Sequence, residues 1–144
     1  MAVQIRLLCP AVNAGLCYFD DISLIETSGN VACPNSGNVW TYPRITFTGI
    51  VDDPRIIDTY GNEFELDITT IAGDVLYLDF DPLTFTATKT TAGVVTDVRN
   101  LQTLVSREVK VGWGASAGLA FSGGVTSVAT ILVALNPRYK GHGA

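Results

Sequence analysis

The chain has 144 residues, a net charge of −5, 47% hydrophobic residues and 16% charged residues. That length suits one domain with a real core, and that composition excludes a disordered chain. The acidic balance argues against nucleic acid, whose binding is driven by Lys and Arg on phosphates.

Ala2 to Cys9 alternates Val3, Ile5, Leu7 and Cys9 against Gln4, Arg6 and Leu8, the period-two pattern of a strand. Arg6 is followed by only Leu7 and Leu8 before Pro10, so no secretory leader is expected. A loop at 10–15 and a second strand at 16–26 complete an N-terminal β-hairpin arm over residues 1–26. Two strands alone are marginal in water, so the arm is expected to pack on the main domain or complete a neighbour's sheet. Residues 27–37, rich in Ser, Gly, Asn and Pro, read as a linker. Cys9 and Cys17 could flank a hairpin. With Cys33 they read better as small buried hydrophobes, since no Cys-x-x-Cys pair or neighbouring His signals zinc or a disulfide framework.

Residues 38–140 read as the main domain. Ile45, Phe47 and Gly49 alternate with Arg44, Thr46 and Thr48; Phe64, Leu66 and Ile68 alternate with Glu63, Glu65 and Asp67. Leu76 and Leu78 alternate with Val75, Tyr77 and Asp79. Each series marks a strand with one buried face. Breaks are expected at Asp53-Pro54, Tyr60-Gly61-Asn62 and Ala72-Gly73-Asp74, all turn chemistry. Further strands are expected near 83–89, 93–99, 107–112, 117–122 and 126–135, with a hairpin turn at Ala92-Gly93 and a short helical turn within 99–105. Strands at this spacing predict an all-β fold, an antiparallel sandwich of jelly-roll or galectin-like type. Residues 111–135 carry no charge, but Gly112, Gly114, Gly118, Gly123 and Gly124 interrupt them too often for a membrane span. Gly114 and Gly118 read as loop glycines, not as a helix-pairing motif. Residues 141–144 are expected to be a mobile tail.

Nothing in the chain points to catalysis, a cofactor or a metal. The only histidine, His142, lies in the glycine-rich tail, where no general base is held in place. Asp52, Asp53, Asp74 and Asp81 sit beside turns, and Glu63, Glu65 and Asp67 share an outer strand face, so solvation explains them. Trp40, Tyr42 and Trp113 are the notable aromatics. A flat exposed ring can stack on a sugar, but burial at the rim of a sandwich or in a subunit contact is the preferred reading. Residues 52–81 hold nine acids and one base, a balance of −8, whereas 98–144 hold five bases and one acid, a balance of +4. Either these segments cancel within one sandwich, or they face apart so that Arg138 and Lys140 of one copy meet the acidic edge of the next.

Asn35-Ser-Gly-Asn38, the strand Pro43–Gly49, Asp53-Pro-Arg-Ile56, Gly73-Asp-Val-Leu-Tyr-Leu-Asp79 and the closing Asn136-Pro-Arg-Tyr139 form an ordered series. This series resembles the C-terminal domain of siphophage distal tail and related minor tail proteins, over residues 35–140. The closing motif is reordered, and 107–118 follow the family pattern only loosely. The resemblance implies a structural role at or near the tip of a long non-contractile phage tail, in a homo-oligomeric ring with other tail proteins. It implies a place in the virion after assembly in the bacterial cytoplasm. Phe19-Asp-Asp-Ile-Ser-Leu24 resembles the last strand of jelly-roll carbohydrate-binding modules. That resemblance implies the alternative function, adsorption to a host cell-wall glycan. Paired Asp residues sometimes help to hold a calcium in such modules; with most of the module absent, Asp20 and Asp21 read as solvated or turn-capping carboxylates.

Overall fold

Alternation decides which face each strand buries. In β2 (Pro43–Thr48), Ile45 and Phe47 are buried while Arg44 and Thr46 stay half-exposed. Phe64 and Leu66 of β4 (Glu63–Leu66) and Leu76 and Leu78 of β5 (Val75–Asp79) follow the same rule. The computed structural model describes residues 29–105, 108–114, 117–125 and 129–141. The other described strands are β1 (Gly29–Ala32), β3 (Val51–Asp58), β6 (Thr86–Thr91), β7 (Val94–Asp97), β8 (Gln102–Val105), β9 (Gly118–Val125) and β10 (Thr130–Leu135).

These strands form two antiparallel five-stranded sheets, ordered β1-β9-β3-β4-β8 and β10-β2-β5-β6-β7. The sheets pack face to face as a β-sandwich. Phe47 of the second sheet meets Phe121 of the first edge to face, at 6.0 Å between ring centroids. Phe80, just past β5, meets Phe64 in the same way at 5.0 Å. Ile45, Ile56, Leu66, Leu76, Leu78, Leu119 and Val133 complete the layer between them. Full burial of such side chains stabilises by about 1.5–3 kcal/mol each, which makes this interior the main source of stability.

Several expectations need correction. Residues 29–37 are not linker: β1 pairs with β9 from Gly29↔Phe121 to Ala32↔Gly118, and Cys33 and Asn35 are buried. The helical turn shrinks to a 3₁₀ turn at Arg99–Leu101, and β8 follows it directly. No strand forms at 108–112, where Val111 makes only an isolated bridge to Thr41. Gly118 opens β9 and is not a loop residue. Asp53-Pro54 is not a break but a bulge inside β3, because Asp52 pairs with Gly124 and Arg55 with Ser122. Two residues there oppose Gly123 alone, the arrangement in which a strand tolerates proline. Gly123 has φ 100°, and a Cβ on it would lie 2.3 Å from the Asp53 carbonyl oxygen, so only glycine fits.

Among the described residues the single helical element is that 3₁₀ turn, and no helix is long and apolar enough to cross a membrane. The expected arm over 1–26 lies outside the described residues, with Cys9, Cys17, Asp20 and Asp21. So do Arg107, residues 126–128 and His142.

Candidate functional site

The start of β2 pairs with the end of β10, Pro43 opposite Leu135. Beyond that pair the two chains run on together. Val39 bridges Arg138 and Asn35 bridges Gly114, while Thr41 donates its hydroxyl to the Asn136 carbonyl at 2.6 Å. Buried Asn35 fastens this end: its Nδ2 donates to the carbonyls of Val39 and Gly112, and its Oδ1 accepts from Gly37 N–H. Gly37 lies so close to Arg138 that a Cβ would come within 2.4 Å of the Arg138 carbonyl oxygen.

This scaffold brings together three of the residues singled out in the sequence. Trp40 and Tyr42 meet edge to face at 5.0 Å, and the Arg138 guanidinium lies 5.4 Å from the Trp40 ring centre. Lys110 Nζ lies 5.3 Å from the same ring and 5.4 Å from that of Tyr60. Such cation–ring contacts hold Trp40 in place. Trp113 stands apart, 61% exposed in the loop that follows Gly112. Lys140 is latched through its backbone, its N–H donating to Asn38 Oδ1 and its carbonyl accepting from Asn38 Nδ2.

Beside Tyr42 opens a groove of about 480 Å³, which also takes in Arg44, Asp79, Asp81, Leu83 and Asn136. Of these, Asp81 read from the sequence as a solvated turn carboxylate, and the others were not read as site residues. Arg44 and Asp79 are direct cross-strand partners on the outer face of the second sheet, and only the register reveals it. Arg44 Nη2 donates to Asn136 Oδ1 at 2.6 Å. Asp79 Oδ1 accepts from Asp81 N–H, and Asp81 Oδ1 accepts from Leu83 N–H, each at 3.0 Å. Both carboxylates are therefore oriented by turn backbone and do not swing freely.

Burial raises the Tyr42 hydroxyl above the usual tyrosine range; Glu108 and Asp81 push the same way and Arg138 opposes them. Burial, followed by the charge of Asp79, raises that of Tyr77. Both phenols therefore keep their protons at neutral pH and can donate. Asp79 and Asp81 of the 52–81 segment and Arg138 of the 98–144 segment thus line one groove, where their charges cancel locally.

No family model, curated protein or solved structure matches this chain. The chemistry of the surface therefore rests on its own residues. Among the described residues no group of three or more His, Cys, Asp or Glu is placed to hold a metal ion.

Proposed function

We propose that this chain is a structural component of the tail of a long non-contractile bacteriophage, built in at or near the tip alongside other tail proteins. The residues that carry the resemblance to tail proteins sit where the sandwich needs a particular residue type. Gly49 and Gly73 have φ of 108° and 91°, Asp74 is buried at a turn, and Asn35 fastens the loop end. Those features support a shared fold.

The observation that carries an assembly role is the pair of open edges on the second sheet. Its outer strands, β10 and β7, have no partner beyond them among the described residues. Every β7 side chain is exposed, including Val94 at 66% and Val95 at 64%, and β10 exposes Leu132. Neither strand carries the lysine or proline that usually guards an edge. The two edges lie on opposite sides of one sheet, so copies joined edge to edge run head to tail and close into a ring when the rotation permits.

Immunoelectron microscopy of virions from the host that carries the gene tests this reading. Antibody against the chain is expected to label the tip of a long flexible tail. Label confined to capsids, or to host fractions without particles, would refute it.

A further inference from the structure

We propose that the groove beside Tyr42 is a binding site for a neutral saccharide. Its volume of about 480 Å³ falls within the ~300–1,000 Å³ of small-ligand sites. Its walls combine the two chemistries a sugar presents. Tyr42, Trp40 and the 92%-exposed Leu83 offer apolar surface to the C–H face of a pyranose ring. Asp79 and Asp81 are acceptors already aimed by backbone N–H groups through Oδ1, and Asp79 Oδ2 also accepts from the Tyr77 hydroxyl at 3.5 Å. Among the described residues nothing donates to Asp81 Oδ2. A hydroxyl of the ligand supplies the missing donor, and a bond to an ionised acceptor is stronger than a neutral one. Arg138 is exposed, and its guanidinium rests against Trp40. Arg44 is similarly held by Asn136.

Charge decides the ligand class. Two guanidinium groups and two carboxylates line the groove, so its formal charge is balanced. A polyanion would meet Asp79 and Asp81, and a cationic peptide would meet Arg44 and Arg138. A neutral polyhydroxylated ligand satisfies both sets without a like-charge contact. A wider groove of about 910 Å³ lies across Pro82 and Leu83 and takes in Thr84, Thr86 and Asn100, which leaves room for the chain to continue beyond one sugar unit. Trp40 is the rigid support of this site, pinned by Tyr42, Lys110 and Arg138. Trp113, the more exposed indole, takes no part.

Amide NMR spectra of the full chain, titrated separately with cellotriose, maltotriose, chitotriose and an anionic hyaluronan tetrasaccharide, test the proposal. At least one neutral trisaccharide is expected to shift resonances of Tyr42, Arg44, Asp81 and Arg138, with the anionic sugar at least tenfold weaker. Tyr42→Ala and Asp81→Asn should each weaken that binding at least tenfold, and Trp113→Ala should leave it unchanged. Asp81→Asn keeps the backbone turn acceptor, so it reports even if Tyr42→Ala fails to fold. The proposal is overturned if no neutral sugar shifts groove resonances, if the anionic sugar binds as tightly, or if Asp81→Asn binds like the parent. None of these readings depends on assembly, so a chain that fails to form rings still tests the groove.

Discussion

Asp74 holds a charge at a position only 2% exposed, and its surroundings favour that charge. Ile71 N–H donates to Oδ2 at 3.0 Å, and Lys89 Nζ sits 3.3 Å away. The Ile71 bond above all, with Thr91 and Lys89 adding to it, holds the carboxyl below the usual aspartate range, against the opposing effect of burial. A pKa lower in the folded than in the unfolded chain means that the stabilisation is present above the unfolded value of about 3.9 and is lost as pH falls through the folded one. Unfolding free energy, measured by urea titration at several pH values, should therefore drop below about pH 4. Asp74→Asn should lower stability at pH 7 and flatten the acid slope relative to the parent, because Asp97, also lowered by its bonds to Arg99, is common to both. An unchanged slope in Asp74→Asn would assign the acid sensitivity elsewhere. The turn at Gly73-Asp74 was legible in the sequence, but the burial of its carboxylate was not. Sequence reading made Asp74 a solvated turn residue because Lys89 comes beside it only through the β5–β6 pairing.

At the scale of elements, the β6–β7 hairpin shows a local rule obeyed with an imperfect residue. Ala92 and Gly93 both have positive φ, 49° and 82°, the two-residue geometry that matches strand twist. Glycine adopts it freely, whereas alanine in the left-handed region is disfavoured by about 1–2 kcal/mol. Ala92→Asn should raise stability by about 0.5–1 kcal/mol, since asparagine tolerates that region and heads the preferred turn pair. Thermal unfolding checks this, and a lowered midpoint would argue against it. This hairpin was readable because Ala-Gly stands between two runs of strand formers. β1 and β8 were not: β1 reads Gly-Asn-Val-Ala inside a stretch rich in turn residues, and β8 follows directly on the 3₁₀ turn. Neighbouring strands hold them in place, β9 against β1 and β4 against β8. The bulge in β3 was hidden for a different reason. Proline beside aspartate ordinarily breaks a strand, and only Gly123 across the ladder makes room for both. The groove is legible only in part: Trp40, Tyr42 and Arg138 stand out as residue types, whereas Arg44 and Asp79 join them through strand register and Asp81 through the turn after β5.

For the whole molecule, the layout of charge and the open edges make opposite forecasts about assembly. If attraction between an acidic and a basic side joined the copies, salt would loosen the ring as the screening length falls to about 8 Å at physiological strength. The structure favours the other forecast. Arg55 pairs with Glu63, Lys89 with Asp74 and Arg99 with Asp97, while Arg138 shares its groove with Asp79 and Asp81. These bases are answered within their own molecule, and what remains is a net charge of −5 that makes copies repel. In the proposed assembly, attraction then comes from the edges. Val98 N–H donates to Ala87 C=O, and bonding alternates along the ladder, so the backbone groups of Val95 and Asp97 point away from β6. A strand added there gains those bonds and covers Val95. Assembly followed by light scattering should therefore hold or tighten between 50 mM and 500 mM salt, as the repulsion is screened. Val95→Lys with Leu132→Lys should leave mostly monomer, with folding stability within about 0.5 kcal/mol of the parent because both positions are exposed. Arg138→Glu with Lys140→Glu should leave the ring intact. Rings that dissolve in salt, or that survive both edge lysines, would return the contact to the charged surfaces.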